Sequence, residues 1–263
     1  IAIGVEAGKN LTSGINNIFL GTNAGCGSNS ITGQNNVIGG THAGKKITAG
    51  SYNVLFGLGV GCDITTASNN ILLGKYSGQL INSGDGLIFL GACAGRYRGG
   101  SCNNIGIGGN TLCGSSTVAN NTGSWNIAIG SQAGQEVTSG ARNIFLGLYA
   151  GQNTTSSNWS IYIGYGAGRC TNASYNVAIG GCALQGSSTV ANNTGTCSVA
   201  IGENAGRCNT SGVNNTFIGS SSGYYNTTGS TNTFLGRSSG LGMVDGTGNL
   251  ILGAGAASSQ TGG

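Results

Sequence analysis

The chain has no proline, one histidine, one methionine, and only ten basic and six acidic residues among 263. Ordinary domains are about a quarter charged and about 5% proline. Without proline, the 54 glycines do not describe collagen, which needs imino acids between glycines at every third position. The same lack of proline and charge sets the chain apart from disordered tails. His42, three Asp and three Glu are little material for acid–base or metal chemistry, and no catalytic, cofactor-binding or metal-binding set is predicted. A net charge of +4 gives no broad nucleic-acid footprint. No apolar run approaches the 18 or more residues of a membrane span, and no charged region precedes an apolar one at the start. The opening Ile1-Ala2-Ile3-Gly4 reads as mid-strand, as expected of an excerpt from something longer.

What the chain has is repetition. Asn, three apolar residues, Gly, two variable residues and Ala-Gly recur, as in Asn17-Ile18-Phe19-Leu20-Gly21 with Ala24-Gly25. The glycine after each triplet marks a rung: Gly4, Gly21, Gly40, Gly57, Gly74, Gly91, Gly108, Gly130, Gly147, Gly164, Gly180, Gly202, Gly219, Gly236 and Gly253. Ten of the fourteen intervals are 17 residues and the others are 19, 22, 16 and 22. Both longer intervals contain the same ten letters, GSSTVANNTG, at 114–123 and 186–195. These segments are loops inserted into a fixed coil. The expected fold class is all-β: a single-chain solenoid of about fifteen 17-residue rungs, one continuous β-roll domain over 1–263.

Each triplet is a short strand. The first position is β-branched in every rung but the last, as strands prefer. First and last positions lie on one face and the middle position on the other, because side chains alternate along a strand. The regular Ile, Val and Leu of the first and last positions are expected to fill the coil. The middle position then forms an outward apolar ridge through Phe19, Leu55, Leu72, Phe89, Phe145, Tyr162, Phe217 and Phe234. Monomers rarely expose so long an apolar patch, so this ridge is the predicted contact between copies around a shared axis. Asn before the triplet is read as a stacked structural column that hydrogen-bonds from rung to rung. The rung glycine and the glycine four residues later are read as bends.

The phrases Asn126-Ile127-Ala128-Ile129-Gly130, Asn176-Val177-Ala178-Ile179-Gly180 and Ser198-Val199-Ala200-Ile201-Gly202 resemble the head repeats of YadA-type trimeric autotransporter adhesins. Longer phrases such as Asn226-Thr227-Thr228-Gly229 through Gly236 are similar to arrays in phage and viral tail-fibre proteins. The resemblance covers essentially all fifteen rungs. It implies a left-handed parallel β-roll, three chains side by side, and a surface fibre that adheres to cells or carries a receptor-binding tip. The adhesin repeat is shorter than 17 residues, so no ligand is carried over.

Five residues after the rung glycine stand Lys9, Lys45, Arg96, Arg169 and Arg207, interspersed with Gln79, Gln135, Gln152, Cys26, Cys62 and Cys113. Such an edge attracts anionic cell-surface sugars or serves as a soluble corner that blocks sideways aggregation. The two copied loops are further candidates, since loops on a rigid scaffold are where binding concentrates. Cys26 and Cys62 share a column two rungs apart, about 9–10 Å, beyond disulfide reach. Bridges between chains stay open for Cys93, Cys102 and Cys113.

The reading is a non-enzymatic extracellular segment of a viral or phage tail fibre or bacterial adhesin. It is expected to be a homotrimer on a cell or virion surface, with a glycan or protein receptor and no cofactor, nucleic acid or membrane insertion. One alternative is a filament that stacks head to tail. Another is an ice-binding solenoid, from the partial column Thr12, Thr48, Thr65, Thr138, Thr155 and Thr227.

Overall fold

The computed structural model describes residues 1–259. The chain is an all-β parallel solenoid of about fifteen turns, with about 17 residues per rung. It forms two compact units, Ile1–Gln132 and Ala133–Gly263. The first holds β1 (Ala2–Ile3), β2 (Ile18–Leu20), β3 (Val37–Gly39), β4 (Val54–Phe56), β5 (Ile71–Leu73), β6 (Ile88–Leu90), β7 (Ile105–Ile107) and β8 (Ile127–Ile129). The second holds β9 (Ile144–Leu146), β10 (Ile161–Ile163), β11 (Val177–Ile179), β12 (Val199–Ile201), β13 (Thr216–Ile218), β14 (Thr233–Leu235) and β15 (Leu250–Leu252). Within each unit every strand pairs in parallel with the next, triplet against triplet, as in Val54↔Ile71 and Phe217↔Phe234.

The two faces of the strand are the reverse of the expected arrangement. Phe19, Leu55, Leu72, Phe89, Phe145, Tyr162, Phe217 and Phe234 are at most 1% exposed. They fill the coil and are not an outward ridge, so none of them is available as a trimer-axis contact. The first and last strand positions face out instead: Phe56, Ile71, Ile129 and Leu235 are 40–47% exposed. No second sheet is needed to cover the middle position. The return half of each rung covers it with small side chains such as Ala24, Ala43 and Ala150, and with Ile31, Ile47, Ile64 and Ile81, all fully buried.

Volume explains the choice. The coil is narrow, and a large ring fits at the strand centre only where the opposite wall is bare. A Cβ on Gly168 would lie 2.4 Å from the Tyr162 ring, and that glycine also holds φ at +57°. Where the strand centre is Gly106 or Ala178, the position four after the rung glycine holds Leu112 or Leu184 in place of glycine, 0% and 3% exposed. A Cβ on Gly106 would already meet Thr111 Oγ1 (2.8 Å) and the Phe89 ring (2.9 Å). Both leucines accept the left-handed backbone, φ 43° and 44°, a strained conformation for a γ-branched residue. The rungs of Ala128 and Ala200 keep glycine there (Gly134, Gly206). At Gly206 the space is taken by Leu184 and Phe217 of the neighbouring rungs, so packing is balanced between adjacent rungs.

The asparagine column forms as expected and is fully buried through Asn36, Asn53 and Asn70. Asn53 Nδ2 donates to Asn36 Oδ1 (3.0 Å) and to the Ala67 carbonyl (2.9 Å). Its Oδ1 accepts from the Asn70 backbone N–H (3.1 Å) and Nδ2 (3.0 Å). Each amide therefore satisfies its neighbour's side chain and the backbone of the turn, which is what buried polar groups require. Ser160 continues the column in the second unit, accepting from Asn176 N–H at 3.3 Å and donating to the Ala173 carbonyl at 3.3 Å.

Arg98 breaks the pattern. It is fully buried in the position that Ile47, Ile64 and Ile81 occupy in earlier rungs. Its Nε donates to the Leu112 carbonyl (2.9 Å), just before the inserted loop, and an Nη to the carbonyl of Gly123 (3.3 Å), the loop's last residue. Thr171 plays the equivalent part at the second loop, its hydroxyl donating to the Leu184 carbonyl at 2.6 Å. Burial lowers the pKa of the Arg98 guanidinium to about 10.

Candidate functional site

The edge column five residues past the rung glycine is an ordered ladder of side chains. Arg96 Nε donates to Gln79 Oε1 (2.9 Å), Arg169 Nε to Gln152 Oε1 (2.8 Å) and Arg207 Nε to Gln185 Oε1 (2.9 Å). Gln152 in turn donates to Gln135 Oε1 at 3.0 Å. Parallel stacking puts like residues on neighbouring rungs about 4.8 Å apart, where two guanidinium groups would repel. A glutamine in the preceding rung removes that conflict and orients the arginine. Aromatic rings hold the guanidinium planes: Arg96 lies over Tyr76 and Tyr97 (5.3 and 5.2 Å), Arg169 over Tyr149 (4.9 Å) and Arg207 over Tyr224 (5.7 Å).

The five basic residues of the edge do not form one site. Lys9 is paired with Glu6 at 2.7 Å on the exposed surface, and each holds the other's charged form, lowering the Glu6 pKa and raising that of Lys9. Lys45 is exposed. Arg96 stands with its tyrosines beside the first loop. Arg169 and Arg207 come together at one recess of about 470 Å³ in the second unit, walled by Asn153, Cys170, Gln185, Gly186, Ser188, Cys208 and Tyr224. Among the described residues, the two ion pairs are Lys9–Glu6 and Lys46–Asp63, so neither recess arginine is neutralised by a carboxylate.

The second copied loop forms part of that wall. Asn193, 1% exposed, holds it in place: Oδ1 accepts from Ser187 N–H (3.0 Å), and Nδ2 donates to the carbonyls of Cys170 (3.0 Å) and Ser187 (2.7 Å). Asn121 makes the matching contacts in the first loop, to Ser115 and Tyr97. A single 3-10 turn immediately precedes the anchoring asparagine in each, Val118–Asn120 and Val190–Asn192. The loops are therefore anchored alike, but their surroundings differ. Where the second has Gln185 before it and Arg207 in the following rung, the first has Cys113 and Gln135.

The sequence points to Arg169, Arg207 and the loop 186–195 that contains Ser188, but not to Gln185, Tyr224 or Asn153. Gln185 and Tyr224 stand five residues after Gly180 and Gly219, so the same column count reaches them. Asn153 leaves no such mark, and that Ser188 of the copied loop faces this edge is decided by folding. The threonine column is occupied by structural bonds: the hydroxyls of Thr48, Thr65, Thr138 and Thr227 donate to carbonyls of the next rung at 3.0–3.2 Å. All nine cysteines are unpaired thiols, with Cys26, Cys113 and Cys170 buried and Cys197 exposed.

Among the described residues no helix is long and apolar enough to cross a membrane. Comparison with protein-family models, with curated proteins and with solved structures returns no match for the chain.

Proposed function

We propose that the chain is a non-enzymatic structural segment of an extracellular attachment fibre, on a virion or a bacterial surface, that associates side by side with copies of itself. The observation that carries this reading is the outward face of the strands. Its first and last positions are Ile, Val, Leu or Phe in nearly every rung, with Thr216, Thr233 and Gly39 the only departures and no charge anywhere. Within each unit these positions form two adjacent apolar columns. A strand face of this kind is normally covered. A copy of the same chain offers a matching pair of columns with the same rung spacing. Three chains per assembly follow from the resemblance to adhesin heads and tail fibres.

Light scattering across a dilution series tests the proposal. A stable mass of three times 25.8 kDa is expected. Placing Asn at Ile71, Ile129 and Ile201, which are 38–41% exposed, should yield monomers with unchanged β-sheet circular dichroism. A wild-type monomer at all concentrations overturns the reading. A mass that grows with concentration points instead to end-to-end polymerisation.

A further inference from the structure

The recess beside the second inserted loop has the makings of a specific site, and the geometry points to an acidic oligosaccharide, one with a carboxylate on alternate sugars, as its ligand. This deepens the attachment reading by naming what is attached to, and it rests on that reading for the choice of a saccharide.

Three features carry it. The first is uncompensated, oriented charge. Arg169 and Arg207 are half-buried, and no Asp or Glu lines the recess. Each guanidinium has its Nε fixed by a glutamine, Gln152 or Gln185. Arg207 also spends one Nη on the Tyr224 hydroxyl at 3.0 Å. That same Nη also reaches Asn204 Oδ1 at 3.5 Å. Among the described residues the two Nη atoms of Arg169 and the other Nη of Arg207 meet no acceptor, so Arg169 offers a fork and Arg207 one Nη to an oxyanion. Glutamine and tyrosine hold their orientation in advance, which lowers the ordering cost of binding.

The second feature is spacing. The arginines lie two rungs apart along one column, about 9–10 Å, too far to converge on one small anion by position alone. That distance is about the separation of acid groups on alternate residues of a linked hexose chain, with Gln185 between them to meet the intervening sugar. The third is the rest of the wall. Ser188, Asn153 and the Gln185 amide offer hydroxyl and amide partners, and the Tyr224 ring offers an apolar face. Sugars present hydroxyl groups and C–H faces together; inorganic anions present no C–H face. The anchored loop closes one side, and Asn193 keeps it there.

The first loop is the built-in contrast. It has the same sequence and the same anchor, but glutamine (Gln135) stands where Arg207 would be, so the paired arginines occur only at the second loop.

Isothermal titration calorimetry of the whole chain with a hexuronate–N-acetylhexosamine tetrasaccharide tests this. The acidic tetrasaccharide should bind, and its carboxyl-reduced, neutral form should bind at least tenfold more weakly. Arg169→Gln and Arg207→Gln should each weaken binding about tenfold or more, since each removes charge-assisted hydrogen bonds. Arg237→Gln, an exposed cation outside the recess, removes the same charge and should leave affinity unchanged. Circular dichroism and light scattering of every variant show whether fold and assembly are intact. Equal binding of the neutral form, an equal loss in the Arg237 variant, or no binding of the acidic form overturns the proposal. Competition by inorganic phosphate at the saccharide's own affinity also overturns it, by showing a simple oxyanion site. These outcomes are independent of subunit mass, so failure here is distinct from failure of the association reading.

Discussion

Replacing Asn53 by Ala isolates what the buried amide column contributes. Asn53 is fully buried, and its side chain takes part in four hydrogen bonds, two donated and two accepted. In the Ala variant Asn36 Oδ1 keeps the Asn53 backbone N–H at 3.0 Å. The Ala67 carbonyl, the Asn70 N–H and one Asn70 Nδ2–H lose their partners at a fully buried site. Each orphaned group costs about 1–3 kcal/mol, so the expected loss is about 3–9 kcal/mol. Asn53→Ser should recover much of it, because Ser160 already shows a hydroxyl accepting from the next N–H and donating to the turn carbonyl. Native-state hydrogen exchange at the Asn70 amide reads the local loss, which suits a repeat protein whose rungs open separately. Urea unfolding reads the total. A loss below about 1 kcal/mol for Ala, or Ser no better than Ala, would refute the assignment of stability to this ladder.

Four further outcomes follow from particular residues. Phe145→Ala should cost about 3–5 kcal/mol in thermal or urea unfolding, since its ring is fully buried 5.7 Å from that of Tyr162; a cost near zero would return the middle strand position to the surface. Gly74→Ala should prevent folding of its rung, because φ is +128° and the new Cβ would sit 2.6 Å from the Gly91 carbonyl oxygen. Gly166→Ala, with φ +61° and its nearest neighbour at 3.7 Å, should cost only about 1–2 kcal/mol. Burial raises the Tyr162 pKa to about 12, opposed by hydrogen bonds with Ser160 and Asn176. The unfolded chain releases this proton near pH 10 while the folded chain holds it, so stability present below pH 10 should fall by about 2–3 kcal/mol as pH rises to 12; Tyr162→Phe should flatten that slope in alkaline unfolding. A colorimetric thiol reagent should find nine thiols in the unfolded chain without reductant, with exposed Cys197 reacting first in the native one; fewer than nine would show bridges.

The rung length, the triplet strands, the asparagine column and both loops are legible in the sequence because each repeats in register, and repetition is a one-dimensional property. The strand triplet also establishes that two faces exist. It does not say which is inside, since alternation is unchanged when the faces are exchanged and all three positions are apolar. That choice is made across the coil, where Gly168 leaves space for Tyr162 and Leu112 is buried in the rung whose strand centre is Gly106. The return half of the rung selects the middle position because its glycines leave room for the rings there and its small Ala and Ile side chains cover them. The same limit applies to the recess. The column of Arg169 and Arg207 can be counted along the chain, but the loop wall with Ser188, its Asn193 anchor, and the absence of a carboxylate among the lining residues are consequences of rungs stacking in space.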